Sequence, residues 1–233
     1  TQRSTLFPYT TLFRSLGPER PFLASMGIYL FRKSALVDLL ESDAADFGRH
    51  VLPRAAGSRR VGAHLFNGYW RDIGTIRAFY DAHLDLVRPQ PPFDFYEAGW
   101  PIYTHPRYLP GARLSGTRFE RAILANGSVV EDSHVEEAII GIRSRVRGAR
   151  LYRSLVMGAD PDPPSAPPGA PPLGIGEGSV IENAIVDKNA RIGRDVRIVN
   201  ARGLREGEGE GWVIRDGIVV IPKNAVVPDG TEV

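Results

Sequence analysis

Branched apolar residues recur at intervals of five to six positions through the second half of the chain. They form two runs, Ile123, Val129, Val135, Ile140 and Val146, and then Ile175, Ile181, Val186, Ile192 and Ile198. Neither an α-helix nor an alternating strand has this period, but it is typical of a parallel β-helix, whose coils bury one such residue on each of three short strands. The spacing predicts a β-helix of hexapeptide repeats, and we expect its left-handed form, which is an exception to the right-handed crossover rule.

Glycines and prolines refine this prediction. Small residues suit the corners between strands, where we expect Gly127, Gly141, Gly148, Gly176 and Gly193. Between the two runs, residues 161–172 contain seven prolines among twelve residues. Because proline donates no ladder hydrogen bond, this segment is predicted to leave the solenoid as a loop.

The first half of the chain has α/β texture. SMGIYLF (25–31) and the alternation Val61, Ala63, Leu65 predict strands, and Ser34 is the expected N-cap of a helix over 36–40. Thr75 stands where an N-cap belongs, before a helix with one apolar face that Pro89 ends. The pattern predicts an α/β part over 16–88, a connector over 89–110 and the β-helix over 111–233.

Composition limits the partners that the chain can have. There are 29 Lys and Arg residues against 27 Asp and Glu, and the net charge of +2 is too small to suggest nucleic acid. The absence of cysteine excludes thiolate chemistry, and no apolar run approaches the ~20 residues of a membrane span. We expect a cytoplasmic protein. Residues 1–15 contain TLFPYTTLFRS, which back-translates to a sequencing adapter, so we expect a non-native leader in place of upstream sequence.

Three short stretches place polar groups beside glycine, where α/β folds bind ligands: ASMGIY (24–29), DFGRHVLP (46–53) and GYWRDIGT (68–75). Taken singly, the three stretches are weak signals, and three of their residues have structural interpretations. Asp46 suits a helix N-cap, Trp70 suits a core position, and Asp72 could pair with Arg71 or Arg77.

Together and in this order, ahead of a hexapeptide β-helix, the three stretches resemble ADP-glucose pyrophosphorylases over residues 22–233. PIYTHPRYLP, VMGAD, IVDKNARIG and IPKNAVVPDGT are similar to the plastid-type branch. The resemblance implies that residues 16–88 are the C-terminal part of a Rossmann-like nucleotidyltransferase domain. It implies transfer of an adenylyl group from ATP to glucose 1-phosphate. It also implies a homotetramer when the protein is complete.

Site residues follow from the same resemblance. It implies a glucose 1-phosphate pocket lined by Ser25, Tyr29, Asp46, Phe47 and Trp70. Asp72 is implied as the catalytic ligand of Mg²⁺, which typically binds one or two carboxylates and substrate phosphates. The family's nucleotide loop would lie upstream of residue 24, so we expect the chain alone to be inactive. The effector, 3-phosphoglycerate or phosphate, is implied to bind Lys188, Lys223, His105 and Arg107, with His105 in place of the usual Gln.

The sequence is compatible with other functions. One is a noncatalytic regulatory subunit of the same family, and another is a different sugar-1-phosphate nucleotidyltransferase, such as a mannose-1-phosphate guanylyltransferase. A hexapeptide acyltransferase would need a solenoid histidine, and His134 is the only one in the predicted coils. Without the resemblance, Lys188 and Lys223 would be interpreted as solvated surface residues.

Overall fold

The protein is described by a computed structural model that covers residues 25–41, 44 and 46–233. The leader predicted over 1–15 lies outside the described residues. The chain divides into two compact units, one that ends at Trp70 and one that comprises Arg71–Val233. The finer division at 88 and 110 stays a prediction.

The first unit contains short helices around a small core. They are α1 (Lys33–Leu40), a π-helical turn (Phe47–Val51) and α2 (Leu52–Ser58). Leu39, Val51 and Ala55 are buried together, with Phe31 and Ala44 packed against them.

Three predictions for this unit are wrong. α1 begins at Lys33 after Arg32, so Ser34 lies inside the helix and is not its N-cap. The described residues up to Trp70 contain no strand, although strands were predicted over 25–31 and 61–65. A strand needs a neighbour to take its backbone hydrogen bonds, and alternation of apolar residues does not supply one.

The predicted helix after Thr75 is confirmed, but it ends at Asp85 and not at Pro89. Helix α3 (Ile76–Asp85) begins where the Thr75 hydroxyl accepts a hydrogen bond from the Ala78 amide at 3.1 Å. Its apolar face buries Tyr80 and Leu84, and Val87 just beyond its end is buried as well.

From Arg113 onward the second unit is a solenoid of three sheets. Sheet A has the order β1 (Arg113–Ser115), β4 (Val129–Glu131), β7 (Arg145–Arg147), β10 (Gly174–Ile175), β13 (Arg191–Ile192), β18 (Val226–Val227). Sheet B has the order β14 (Arg197–Ile198), β11 (Val180–Glu182), β8 (Arg150–Tyr152), β5 (His134–Glu136), β2 (Arg118–Glu120). Sheet C has the order β15 (Glu206–Gly209), β16 (Trp212–Arg215), β17 (Ile218–Ile221), β12 (Ala184–Val186), β9 (Leu155–Val156), β6 (Ile139–Ile140), β3 (Ile123–Leu124). All pairings are parallel except β15–β16 and β16–β17.

The interior of the solenoid confirms eight of the ten predicted repeat positions, all of them buried: Val135, Ile140, Val146, Ile175, Ile181, Val186, Ile192 and Ile198. Ile123 and Val129 were placed one residue too early, because Leu124 packs against this core and Val130 is fully buried in it. Apolar residues adjoin both positions, so the sequence did not distinguish the inward side chain from the outward one. Ile123 instead belongs to the cluster in which α3 packs on sheet C.

Two insertions interrupt the coils. Residues 161–172 contain no strand, which confirms the predicted loop, and the Arg191 guanidinium donates to the carbonyls of Pro164 and Pro171 at 3.2 and 3.3 Å. The second insertion, the antiparallel hairpin of β15 and β16, was not predicted. The sequence did contain a signal for the turn from β16 into β17, because Asp-Gly is typical of two-residue hairpin turns. Asp216 and Gly217 form this turn, with φ of 51° and 81°.

None of the helices in the described part of the chain has the length and apolar character needed to cross a bilayer.

Candidate functional site

Three of the predicted sugar-binding residues form one group in the first unit. The Ser25 and Tyr29 hydroxyl oxygens are 2.8 Å apart, and the rings of Tyr29 and Phe47 stack with centroids 6.2 Å apart and planes 7° from parallel. Both residues are about two-fifths exposed, Tyr29 at 38% and Phe47 at 40%. We call Ser25, Tyr29 and Phe47 the aromatic cluster. An accessible ring face beside two hydroxyl groups has the chemistry that a sugar ring requires.

Asp46 adjoins this cluster through Phe47 and caps the helical turn that follows. Its Oδ1 accepts a hydrogen bond from the Arg49 amide at 2.8 Å, which confirms the N-cap interpretation. This amide lowers the pKa of Asp46 below its usual value, so the carboxylate is charged at neutral pH. One oxygen of the Asp46 carboxylate is thus engaged by the backbone. Contact of this carboxylate with a sugar stays a prediction.

Trp70 and Asp72 differ from their structural interpretations. Trp70 is 41% exposed, so it is not a core residue, and within the described residues it makes no ring contact with the aromatic cluster. Asp72 pairs with neither neighbouring arginine. Its Oδ1 accepts a hydrogen bond from the Gly74 amide at 2.9 Å, whereas Arg71 pairs with Asp85 and Arg77 with Asp81.

The carboxylate of Asp72 is one ligand of the kind that Mg²⁺ prefers. No group of three His, Asp or Glu side chains that could hold a metal occurs among the described residues. These residues do not make a complete magnesium site by themselves. A magnesium site that includes Asp72 would need further ligands, such as substrate phosphate oxygens, and the role of Asp72 as a metal ligand stays a prediction.

The two lysines of the predicted effector site lie on successive coils of the second unit. The Asn224 amide donates to the Lys188 carbonyl at 2.9 Å, so the corner that carries Lys223 stacks directly on the corner that carries Lys188. The lysine side chains are 40% and 50% exposed. We call Lys188 and Lys223 the lysine pair. Two ammonium groups on neighbouring corners can bind one anionic group together.

A carboxylate from a third coil lies between these ammonium groups. Asp160 Oδ2 is 2.7 Å from Lys223 Nζ, and Asp160 Oδ1 is 3.4 Å from Lys188 Nζ. The Asn189 side chain, which is 3% exposed, donates to Asp160 Oδ2 at 3.0 Å and to Asn224 Oδ1 at 2.9 Å. The hydrogen bond from Lys223 and then that from Asn189 lower the pKa of Asp160 to about 2, and Asp160 in turn raises the pKa of Lys223.

Asp160 is the residue that sequence reasoning missed. It belongs to the VMGAD stretch that carried the resemblance, yet no role was assigned to it. A signal was available, since Asn189 and Asn224 occupy equivalent positions in the repeated KNA motifs and the preceding coil ends at Asp160.

The other two predicted effector residues are not brought to the lysine pair. Arg107 donates to the His105 carbonyl at 3.1 Å, and both residues are exposed. Within the described residues no hydrogen bond or ion pair joins them to Lys188 or Lys223. Their part in an effector site stays a prediction.

Comparison with known protein families agrees with this architecture. A family model described as the GLGC left-handed parallel beta-helix domain matches residues 107–232, more than half of the 233-residue chain. A second model, described as nucleotidyl transferase, matches residues 17–88. These matches confirm the predicted fold class, a nucleotidyltransferase domain followed by a left-handed parallel β-helix.

Proposed function

The chain belongs to the family defined by the GLGC left-handed parallel beta-helix domain, joined to a nucleotidyltransferase domain, and on that premise we propose that it is a glucose-1-phosphate adenylyltransferase. The reaction joins the phosphate of glucose 1-phosphate to the α-phosphate of ATP and releases pyrophosphate. The observation that carries this proposal is the presence of both domains in one chain. The substrates, a plastid-type effector response, a homotetramer and a cytoplasmic location belong to the proposal.

In this proposal the first unit binds the sugar. The stacked rings of Tyr29 and Phe47 cover the apolar side of the glucose ring, and the Ser25 hydroxyl and the Asp46 carboxylate bind its hydroxyl groups. Trp70, exposed on the same unit, supplies a further aromatic face. These contacts hold the sugar phosphate so that its oxygen meets the nucleotide in line.

Asp72 has the role of a metal ligand. Mg²⁺, when bound, would neutralise the charge that develops on the phosphates during transfer. The Gly74 amide holds one oxygen of the Asp72 carboxylate, which fixes its direction.

The lysine pair has the role of an effector site for a phosphorylated acid such as 3-phosphoglycerate, or for inorganic phosphate. Phosphate oxygens accept hydrogen bonds from ammonium groups, and charge-assisted bonds of this type are the strong ones. Support comes from the stacking of the two lysine corners.

The sugar assignment can be tested by titrating the chain with glucose 1-phosphate and with mannose 1-phosphate. Tryptophan fluorescence and calorimetry measure the binding in each titration. Asp46→Ala removes both the cap and the carboxylate, whereas Asp46→Ser keeps a capping oxygen and removes only the carboxylate. We expect both variants to weaken glucose 1-phosphate binding by roughly 5- to 100-fold, as for one or two lost hydrogen bonds. If Asp46→Ser binds like the unmodified chain, Asp46 is an N-cap only. Tighter binding of mannose 1-phosphate would refute the glucose assignment.

A further inference from the structure

The lysine pair is already occupied by a carboxylate of the chain itself. We propose that Asp160 is a built-in competitor for the anion site of Lys188 and Lys223, so that a phosphorylated effector binds only when it displaces the Asp160 side chain from them. The inference rests on the proposed function, in which the lysine pair is the effector site.

The geometry gives Asp160 the position that an effector phosphate would take. Its two oxygens are shared between the two ammonium groups, at 2.7 Å from Lys223 and 3.4 Å from Lys188. A phosphate group that binds both lysines needs the same two donors. Carboxylate and phosphate therefore compete for the same charges, and their binding is mutually exclusive at full occupancy.

The competitor is anchored at its backbone. The Asp160 amide donates to Asn189 Oδ1 at 2.8 Å, and Asn189 Nδ2 donates back to the Asp160 carboxylate at 3.0 Å. Asn189 is itself held by the Asn224 side chain. Because the main chain at Asp160 is anchored to the next coil, the carboxylate stays at high local concentration beside the lysines.

The charges around the lysine pair also support the role of Asp160 as a competitor. Asp187 lies beside the pair, since its Oδ1 accepts from the Lys188 amide at 2.6 Å and its charge helps to raise the pKa of Lys223. Two lysines and two aspartates leave the corner without net charge, so it attracts dianions weakly. The pKa of Asp160, about 2, means that protonation does not vacate the site near neutral pH.

The test compares Asp160→Asn with Asp162→Asn. Asp162 is exposed in the adjoining loop and makes no ion pair with a described residue, so the control removes the same charge without touching the lysine pair. Calorimetric titration of each chain with inorganic phosphate and with 3-phosphoglycerate gives the dissociation constants. We expect Asp160→Asn to bind at least about fivefold more tightly than the unmodified chain, the scale of ion pairs between partly exposed groups. Asp162→Asn should change the constant by less than about twofold.

Two further variants separate this inference from the proposed effector site. Lys188→Ala and Lys223→Ala, each in the Asp160→Asn background, should abolish the gain. If the lysine variants lose binding but Asp160→Asn binds no more tightly than the unmodified chain, the competitor role is refuted and the effector site stands. If anion binding persists without the lysines, both proposals are refuted. Asp160→Ser, a smaller uncharged side chain, repeats the comparison should Asp160→Asn fold poorly.

Discussion

Replacing Tyr80 with phenylalanine removes one hydroxyl group from the contact between helix α3 and the solenoid. Tyr80 is 2% exposed, and its hydroxyl donates to the Arg153 carbonyl at 2.6 Å. Arg153 stands at a corner of the coil with φ of 45°, outside any strand. Phenylalanine fills almost the same volume, so the main effect is that the Arg153 carbonyl oxygen loses this donor in a part-buried hydrogen bond.

The expected cost follows from this geometry. A net hydrogen bond contributes about 1 kcal/mol and an unsatisfied buried group costs about 1–3 kcal/mol, so Tyr80→Phe should lower the free energy of unfolding by about 2 kcal/mol. Tyr80→Ala also removes the ring from the cluster with Leu155, Ile185 and Ile218, and should cost about 4 kcal/mol. Tyr152→Phe is the control, because Tyr152 is 38% exposed and should change stability by less than about 0.5 kcal/mol.

Urea unfolding followed by circular dichroism measures these differences, and a second readout is their pH dependence. Burial raises the pKa of Tyr80 to about 12, whereas an unfolded tyrosine titrates near 10. Above pH 10 the unfolded chain loses this proton first, so the stability that the buried hydroxyl contributes is complete below pH 10 and is lost as the pH rises through about 12. The advantage of the unmodified chain over Tyr80→Phe should shrink across this range. If Tyr80→Phe matches Tyr152→Phe at neutral pH, the hydrogen bond does not stabilise the packing of α3.

Two further predictions concern the coils and the metal ligand. Gly141→Ala should lower the free energy of unfolding by about 1–3 kcal/mol, because a Cβ there would lie 2.6 Å from the Met157 carbonyl oxygen of the next coil, whereas Gly111→Ala meets nothing within 4 Å and should be nearly neutral in the same urea experiment. Asp72→Asn should weaken the binding of Mn²⁺ in the presence of glucose 1-phosphate by roughly tenfold or more, measured from the electron paramagnetic resonance signal of free Mn²⁺. Asp162→Asn should leave that affinity unchanged, and equal affinities in the two variants would remove Asp72 from the metal site.

Local features of the sequence were sufficient to predict most of the solenoid and helix α3. The apolar period of five to six residues is repeated in each coil, and a Thr75 hydroxyl followed by an amphipathic stretch is a local start signal. The N-cap role of Asp46 could likewise be predicted from the sequence, because it depends only on the turn that follows this residue. The proline-rich segment over 161–172 was predictable because proline excludes ladder pairing wherever it stands.

Tertiary structure alone decided the features that depend on distant partners. The apolar stretches over 25–31 and 61–65 form no strand in the described chain, since a strand exists only beside a neighbour. Ile123 and Val129 have apolar neighbours, so only packing against the next coil selected Leu124 and Val130 for the interior. Asp160 meets Lys188 and Lys223 because coil stacking brings residues from three different coils to adjacent corners. Sequence periodicity predicts that coils stack, but the length of each insertion between them sets which side chains meet.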